Sequence, residues 1–221
     1  MRTLSPVAFI SLLGGLAFFA GCSANAPTNA PIPQPLGQQS VAQHAVAQAP
    51  FELHFPAAAF GAHPGADLGG VIPDANSRKL VESISSAGGT LKVPPFAKFG
   101  GSIGYTSNNA PSGTTITLIS SVQNLAHVPN PPSGTAIFYI QATLSSSQFT
   151  IVFNSGNASA TIASKKLVAA KTYTVYAYAL GQLVGQFNAG HPKNGKLHFT
   201  SPINGQTIPT GVTVTVQLAQ N

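Results

Sequence analysis

Gly211-Val212-Thr213-Val214-Thr215-Val216-Gln217-Leu218-Ala219 alternates apolar and polar side chains with a period of two. Successive side chains of an extended chain point to opposite faces, so this stretch has one dry face and one wet face, as a strand in a half-buried sheet does. The same period recurs upstream. Ile116 and Leu118 alternate with threonines, Phe138, Ile140, Ala142 and Leu144 share one face, and so do Phe149, Ile151 and Phe153. The separators are turn formers: Asn108-Asn109-Ala110-Pro111-Ser112-Gly113, Pro129-Asn130-Pro131-Pro132-Ser133-Gly134, Asn154-Ser155-Gly156-Asn157 and Asn194-Gly195. Short strands at this spacing, about seven to nine of them, predict an all-β fold of two packed antiparallel sheets over residues 90–221, with a closed barrel as the alternative. Gly211 to Ala219 is then the closing strand.

Upstream of residue 90 the patterning changes. Residues 51–89 form a transition segment holding all four acidic residues, Glu52, Asp67, Asp74 and Glu82. Leu80, Val81 and Ile84 fall on one side of a helix over 77–86, with Asp74 or Asn76 as cap and Gly88 as stop. Residues 22–50 are rich in Ala, Pro and Gln, including Ala30-Pro31-Ile32-Pro33-Gln34-Pro35, and offer no apolar period from which to build a face. They read as a disordered tether.

The N-terminus has one cation, Arg2, then an apolar stretch from Val7 to Ala20 and small residues before the single cysteine, Cys22. That is the anatomy of a secretory signal, and it falls short of the about 20 apolar residues that span a bilayer. Phe19-Ala20-Gly21-Cys22 resembles the bacterial lipobox. The resemblance implies a signal peptide over residues 1–21, a diacylglyceryl thioether on Cys22 and an acylated new amino terminus. It places the protein in the cell envelope, lipid-anchored to the membrane. Ser23 after the cysteine resembles the outer-membrane sorting pattern of Gram-negative lipoproteins.

Leu167-Val168-Ala169-Ala170-Lys171-Thr172-Tyr173-Thr174-Val175-Tyr176 resembles the entry to strand F of fibronectin type III and other immunoglobulin-like domains. There a Leu six residues ahead of a Tyr marks a tyrosine corner, whose hydroxyl bonds back to nearby backbone. Ser201-Pro202-Ile203-Asn204-Gly205-Gln206-Thr207 is similar to the opening of bacterial immunoglobulin-like modules. Both resemblances imply an immunoglobulin-like sandwich.

Charged residues are 6% of the chain, against about 25% in ordinary soluble domains. From Ser83 to Asn221 there is no Asp or Glu. The predicted domain therefore lacks a carboxylate pair for glycoside hydrolysis, a carboxylate to orient a catalytic histidine and an acidic calcium site. It also has no Ser-x-x-Lys and no cysteine, which removes further nucleophilic chemistries. No enzymatic activity and no cofactor are expected. Glu52, His54, His63 and Asp67 are metal-compatible side chains in one segment, but their spacing matches no ligand motif, and no metal site is assigned.

Two surfaces remain as candidates for binding. Lys92, Lys98, Lys165, Lys166, Lys171, Lys193 and Lys196 lie in the acid-free region, and Lys165, Lys166 and Lys171 cluster in sequence. An uncompensated positive field favours anionic surfaces such as acidic polysaccharide, with no specific nucleic-acid recognition implied. The tyrosine-corner resemblance turns Tyr173, Val175 and Ala177 inward, leaving Tyr176 and Tyr178 on the outer face, where they would stack on a ligand ring; the alternative is that the bulky Tyr176, Tyr178 and Leu180 form the core face and the small alanines line the other. The sequence thus predicts a monomeric, non-catalytic envelope lipoprotein that presents its sandwich for adhesion, scaffolding or accessory binding of anionic polysaccharide or another envelope protein. The alternative is a periplasmic lipoprotein binding a small ligand or metal ion, which predicts a concave pocket or a folded His54/His63 loop.

Overall fold

The alternating stretch near the C-terminus lies at the centre of the larger sheet. The computed structural model describes residues 53–61, 75–203 and 205–221, all within the unit Val46–Asn221. After a short 3-10 turn at Ala57–Gly61 come twelve strands: β1 (Ser77–Ser83), β2 (Gly89–Phe96), β3 (Phe99–Tyr105), β4 (Thr115–Ser121), β5 (Thr135–Ser145), β6 (Thr150–Val152), β7 (Asn157–Ser164), β8 (Tyr173–Ala179), β9 (Gln182–Gly190), β10 (Lys196–Pro202), β11 (Thr207–Pro209) and β12 (Thr213–Gln220). They form a six-stranded sheet in the order β1-β4-β5-β12-β8-β9, a four-stranded sheet β10-β7-β3-β2 and a two-stranded pair β11-β6. All pairings are antiparallel.

The expected period-two faces form the core. Ile116, Leu118, Phe138, Ile140, Leu144, Val175 and Leu218 from the six-stranded sheet pack against Leu91, Val93, Phe99, Ile162 and Leu197 from the four-stranded one. The Phe99 and Phe138 rings stack across this space, with centroids 4.7 Å apart. The fold is therefore an antiparallel β-sandwich, not a closed barrel. Phe149 departs from its expected inward face and is exposed, while Ile151 and Phe153 are buried.

The helix expected over 77–86 is instead β1, paired residue for residue with β4 from Ser77↔Ser121 to Ser83↔Thr115. A helix of that length is marginal alone, whereas the same residues as a strand satisfy the backbone of β4, which would otherwise be a bare edge. The sandwich consequently begins at Ser77, not at residue 90. With β1 and the three-residue strands β6 and β11, the count rises from the expected seven to nine to twelve. Between β3 and β7 the backbones approach so closely that a Cβ on Gly101 would collide with the Thr161 carbonyl oxygen.

Register assigns each loop to one of two ends. At one end lie the β2–β3 turn, the β7–β8 connection and the β9–β10 turn, since Phe99 pairs with Ser164, Lys196 with Ala163 and Tyr173 with Gly190. At the other lie the end of β3, the start of β7 and the end of β10, together with the β8–β9 turn.

Candidate functional site

The first of these ends is fastened by Tyr173. Its ring is fully buried, its hydroxyl accepts the Val168 backbone N–H at 2.9 Å and donates to Gln220 Oε1 at 3.2 Å. Leu167, six residues ahead, is buried in the core. This geometry holds the β7–β8 connection across the end of the sandwich. Ser164 N–H donates to the Gly195 carbonyl at 2.9 Å, tying the β9–β10 turn to the same connection.

That turn is Asn194-Gly195, with φ of 52° and 69° and reciprocal backbone bonds between Lys193 and Lys196 of 2.8 and 3.0 Å. Positive φ at both central residues is the type I′ pattern that matches strand twist. The β2–β3 turn has the same pattern at Ala97 and Lys98, with φ of 50° and 75°. A lysine there occupies a conformation that glycine or asparagine adopts more readily.

The consequence is a basic end. Lys98, Lys165, Lys166, Lys171, Lys193 and Lys196 are all exposed there, and Lys166 Nζ lies 5.7 Å from the centroid of the Phe99 ring. His191 joins them, its Nδ1 3.2 Å from the Ala169 carbonyl oxygen. Glu82, the only Asp or Glu among the described residues, sits elsewhere, on β1. Its carboxylate accepts the Lys92 backbone N–H at 3.3–3.4 Å, on the edge of the four-stranded sheet where Lys92 pairs with Ser102. Clustering in sequence identified Lys165, Lys166 and Lys171. It missed Lys98, Lys193 and Lys196, which only the pairing of β7 with β3 and with β10 brings to them. The readable signal was Asn194-Gly195, a strong hairpin motif flanked by two lysines.

Tyr176 and Tyr178 correct the second expectation. They do face away from the sheet–sheet core, on the side opposite Tyr173 and Val175. Both are buried, however, at 1% and 3% exposure, so neither offers an open stacking surface. The β4–β5 connection roofs them: Val128 and Ala126 pack on Tyr139, Tyr176 and Tyr178, and Ser133 Oγ is 2.8 Å from the Tyr176 hydroxyl. Asn124 clamps the roof by accepting the Val128 N–H at 3.0 Å and donating to its carbonyl at 2.6 Å, and Gln217 Nε2 donates to the Pro129 carbonyl at 3.3 Å. Burial first, then the neighbouring Tyr176 and Tyr139 hydroxyls, raises the Tyr178 pKa above its ordinary value of 10.0.

Cys22, Glu52, His63 and Asp67 lie outside the described residues. His54 is exposed, and its backbone N–H donates to the Val184 carbonyl at 2.6 Å. His198 Nδ1 is 2.9 Å from Thr161 Oγ1. Among the described residues no group of three or more His, Cys, Asp or Glu converges as a metal site requires, and no helix is long and apolar enough to cross a membrane. No protein-family model, curated protein or solved structure matches this chain.

Proposed function

We propose that this protein is a non-catalytic, lipid-anchored component of the bacterial cell envelope whose sandwich, an immunoglobulin-like domain with a tyrosine corner at Tyr173, binds an anionic envelope polymer through its basic end. The observation that carries the binding reading is the collection of six exposed lysines at one end with no Asp or Glu side chain among the described residues there. A polymer of repeated carboxylate or phosphate groups engages dispersed point charges without a shaped pocket, and lysines suit that task. Rigid hairpins hold Lys98, Lys193 and Lys196, so less of their backbone freedom remains to be lost on binding. The anchor is read from the lipobox resemblance at Cys22, and the Ala/Pro/Gln-rich residues 22–50 supply reach from the membrane surface.

Two experiments test the parts separately. Wild-type protein should partition into detergent and the Cys22→Ala variant into buffer, because several acyl chains anchor far more firmly than one; wild type released by salt alone would remove the anchor. Lys165→Gln/Lys166→Gln/Lys193→Gln/Lys196→Gln should abolish low-salt retention on an acidic polysaccharide column, whereas Lys79→Gln/Lys92→Gln leaves it. Equal elution of the two variants would remove the binding site.

A further inference from the structure

The lysine-free end opens onto an apolar space between the sheets. Ala158 and Ala160 of β7 share the inward face with Ile162. Opposite β7 in the other sheet is Ala142 of β5, and beside it is Ser201, paired with Ala158. Facing sheets stand about 10 Å apart, a gap that larger side chains ordinarily fill from both sides. Here four small residues leave it unfilled.

The resulting space has three compartments in series. A vestibule of about 360 Å³ lies between Leu53, His54, Phe55 and the chain after β10, including Gln206 and Thr207. It shares Leu53, Pro202, Ile203 and Gln206 with a chamber of about 200 Å³ lined by Ile84, Leu91, Leu144 and Ile208. That chamber shares Ile103, Ala142, Ala158, Ser201 and Val216 with another of about 150 Å³, which reaches Ile140, Val175 and Phe199. The vestibule and this last chamber share no residue, so the space is elongated. Ile103, Ala142, Ala158, Ala160, Phe199 and Val216 point inward yet keep partial solvent exposure.

We infer that this channel binds a single-chain apolar ligand, an alkyl or acyl chain with a small uncharged head, independently of the basic end. The two inner chambers exclude a polar occupant, since water needs two or more polar partners and their walls are almost entirely hydrocarbon. A dry cavity of about 150 Å³ accepts a benzene ring, so the two chambers in series hold a chain of about a dozen carbons. The vestibule lining adds polar residues for a head, His54, Thr207 and Gln206, the last with its Nε2 donating to the Leu53 carbonyl at 3.2 Å. With no lysine or arginine lining it, the vestibule does not select a strongly acidic head.

The direct test is isothermal titration of the full chain carrying Cys22→Ala, prepared without detergent, with a series of straight-chain primary alcohols. Affinity should rise about fourfold per methylene, the value of burying one CH₂, and level off near 1-dodecanol once the channel is full. Ala142→Leu and Ala158→Leu should each weaken 1-dodecanol binding at least tenfold while leaving retention on acidic polysaccharide intact. If either variant fails to fold, the plateau in chain length within the parent chain still decides the question. No saturable binding of any alcohol would overturn the inference, as would affinity that keeps rising past about 16 carbons, which is adsorption to a surface.

Discussion

The two ends of the sandwich are built from the same strands but filled in opposite ways. At the basic end Tyr173 reaches across the core to hold the β7–β8 connection, Phe99 stacks on Phe138, and two-residue turns project lysines into solvent. At the lysine-free end, alanine and serine at inward positions leave the sheets apart, and the connections carry Pro, Ser, Asn and Gly. The contrast shows that a sandwich can place charge and cavity at opposite poles. Charge needs only strand ends and a rigid turn, whereas a cavity needs small residues in register on both sheets.

The largest effect should come from loosening the fastened end. Tyr173→Phe keeps the ring but leaves the Val168 N–H without its acceptor and ends the bond to Gln220 Oε1. A loss of about 1–3 kcal/mol in chemical denaturation is expected for two part-buried hydrogen bonds at about 0.5–1.5 kcal/mol each. The other end should respond in the opposite direction to a change in its turn. Leu180 and Gly181 connect β8 to β9 with φ of 51° and 75°, the same pattern as Asn194-Gly195 but with an exposed leucine in the left-handed conformation. Leu180→Asn should stabilise by about 0.5–1 kcal/mol, measured the same way. Stabilisation by Tyr173→Phe or destabilisation by Leu180→Asn would break the comparison.

Much of the sandwich was legible because a period of two leaves a strong mark. Ile140, Leu144, Val214 and Leu218 sit on the face their alternation requires, and the Leu167–Tyr173 spacing located the buried hydroxyl bond. The segment 77–86 misled because Leu80, Val81 and Ile84 fit a helical face, and only the open edge of β4 makes a strand the better partner. The facing of Tyr176 and Tyr178 followed from the tyrosine-corner resemblance, since strand parity alone left open which of the two faces met the core. Their covering was not legible, since it depends on Val128 folding back from a Pro-rich loop. The basic end was half legible: local clustering found Lys165, Lys166 and Lys171, while Lys98, Lys193 and Lys196 join through pairings between residues far apart in the sequence. The channel left only a faint trace, the run of small residues in Asn157–Ser164.

The smallest effect belongs to the roofed face that joins the two ends. The Tyr178 pKa is raised by burial and by its tyrosine neighbours, so its contribution to stability is complete below about pH 10. Above that the unfolded chain releases a proton that the folded chain retains, and stability falls as the pH climbs through the raised folded value. Urea midpoints measured from pH 9 upward should show this decline, and Tyr178→Phe should flatten it.

The division of labour between the ends is tested most directly by residue-resolved nuclear magnetic resonance of the sandwich in the full chain, titrated with an acidic polysaccharide at low salt. Shifts should concentrate at Ala97–Phe99, Lys165–Lys171 and His191–Lys196 and fade as salt is raised, while Ile203–Thr207 and Leu180–Gly181 stay unchanged. Shifts centred on the lysine-free end, or spread evenly over both ends, would contradict the account.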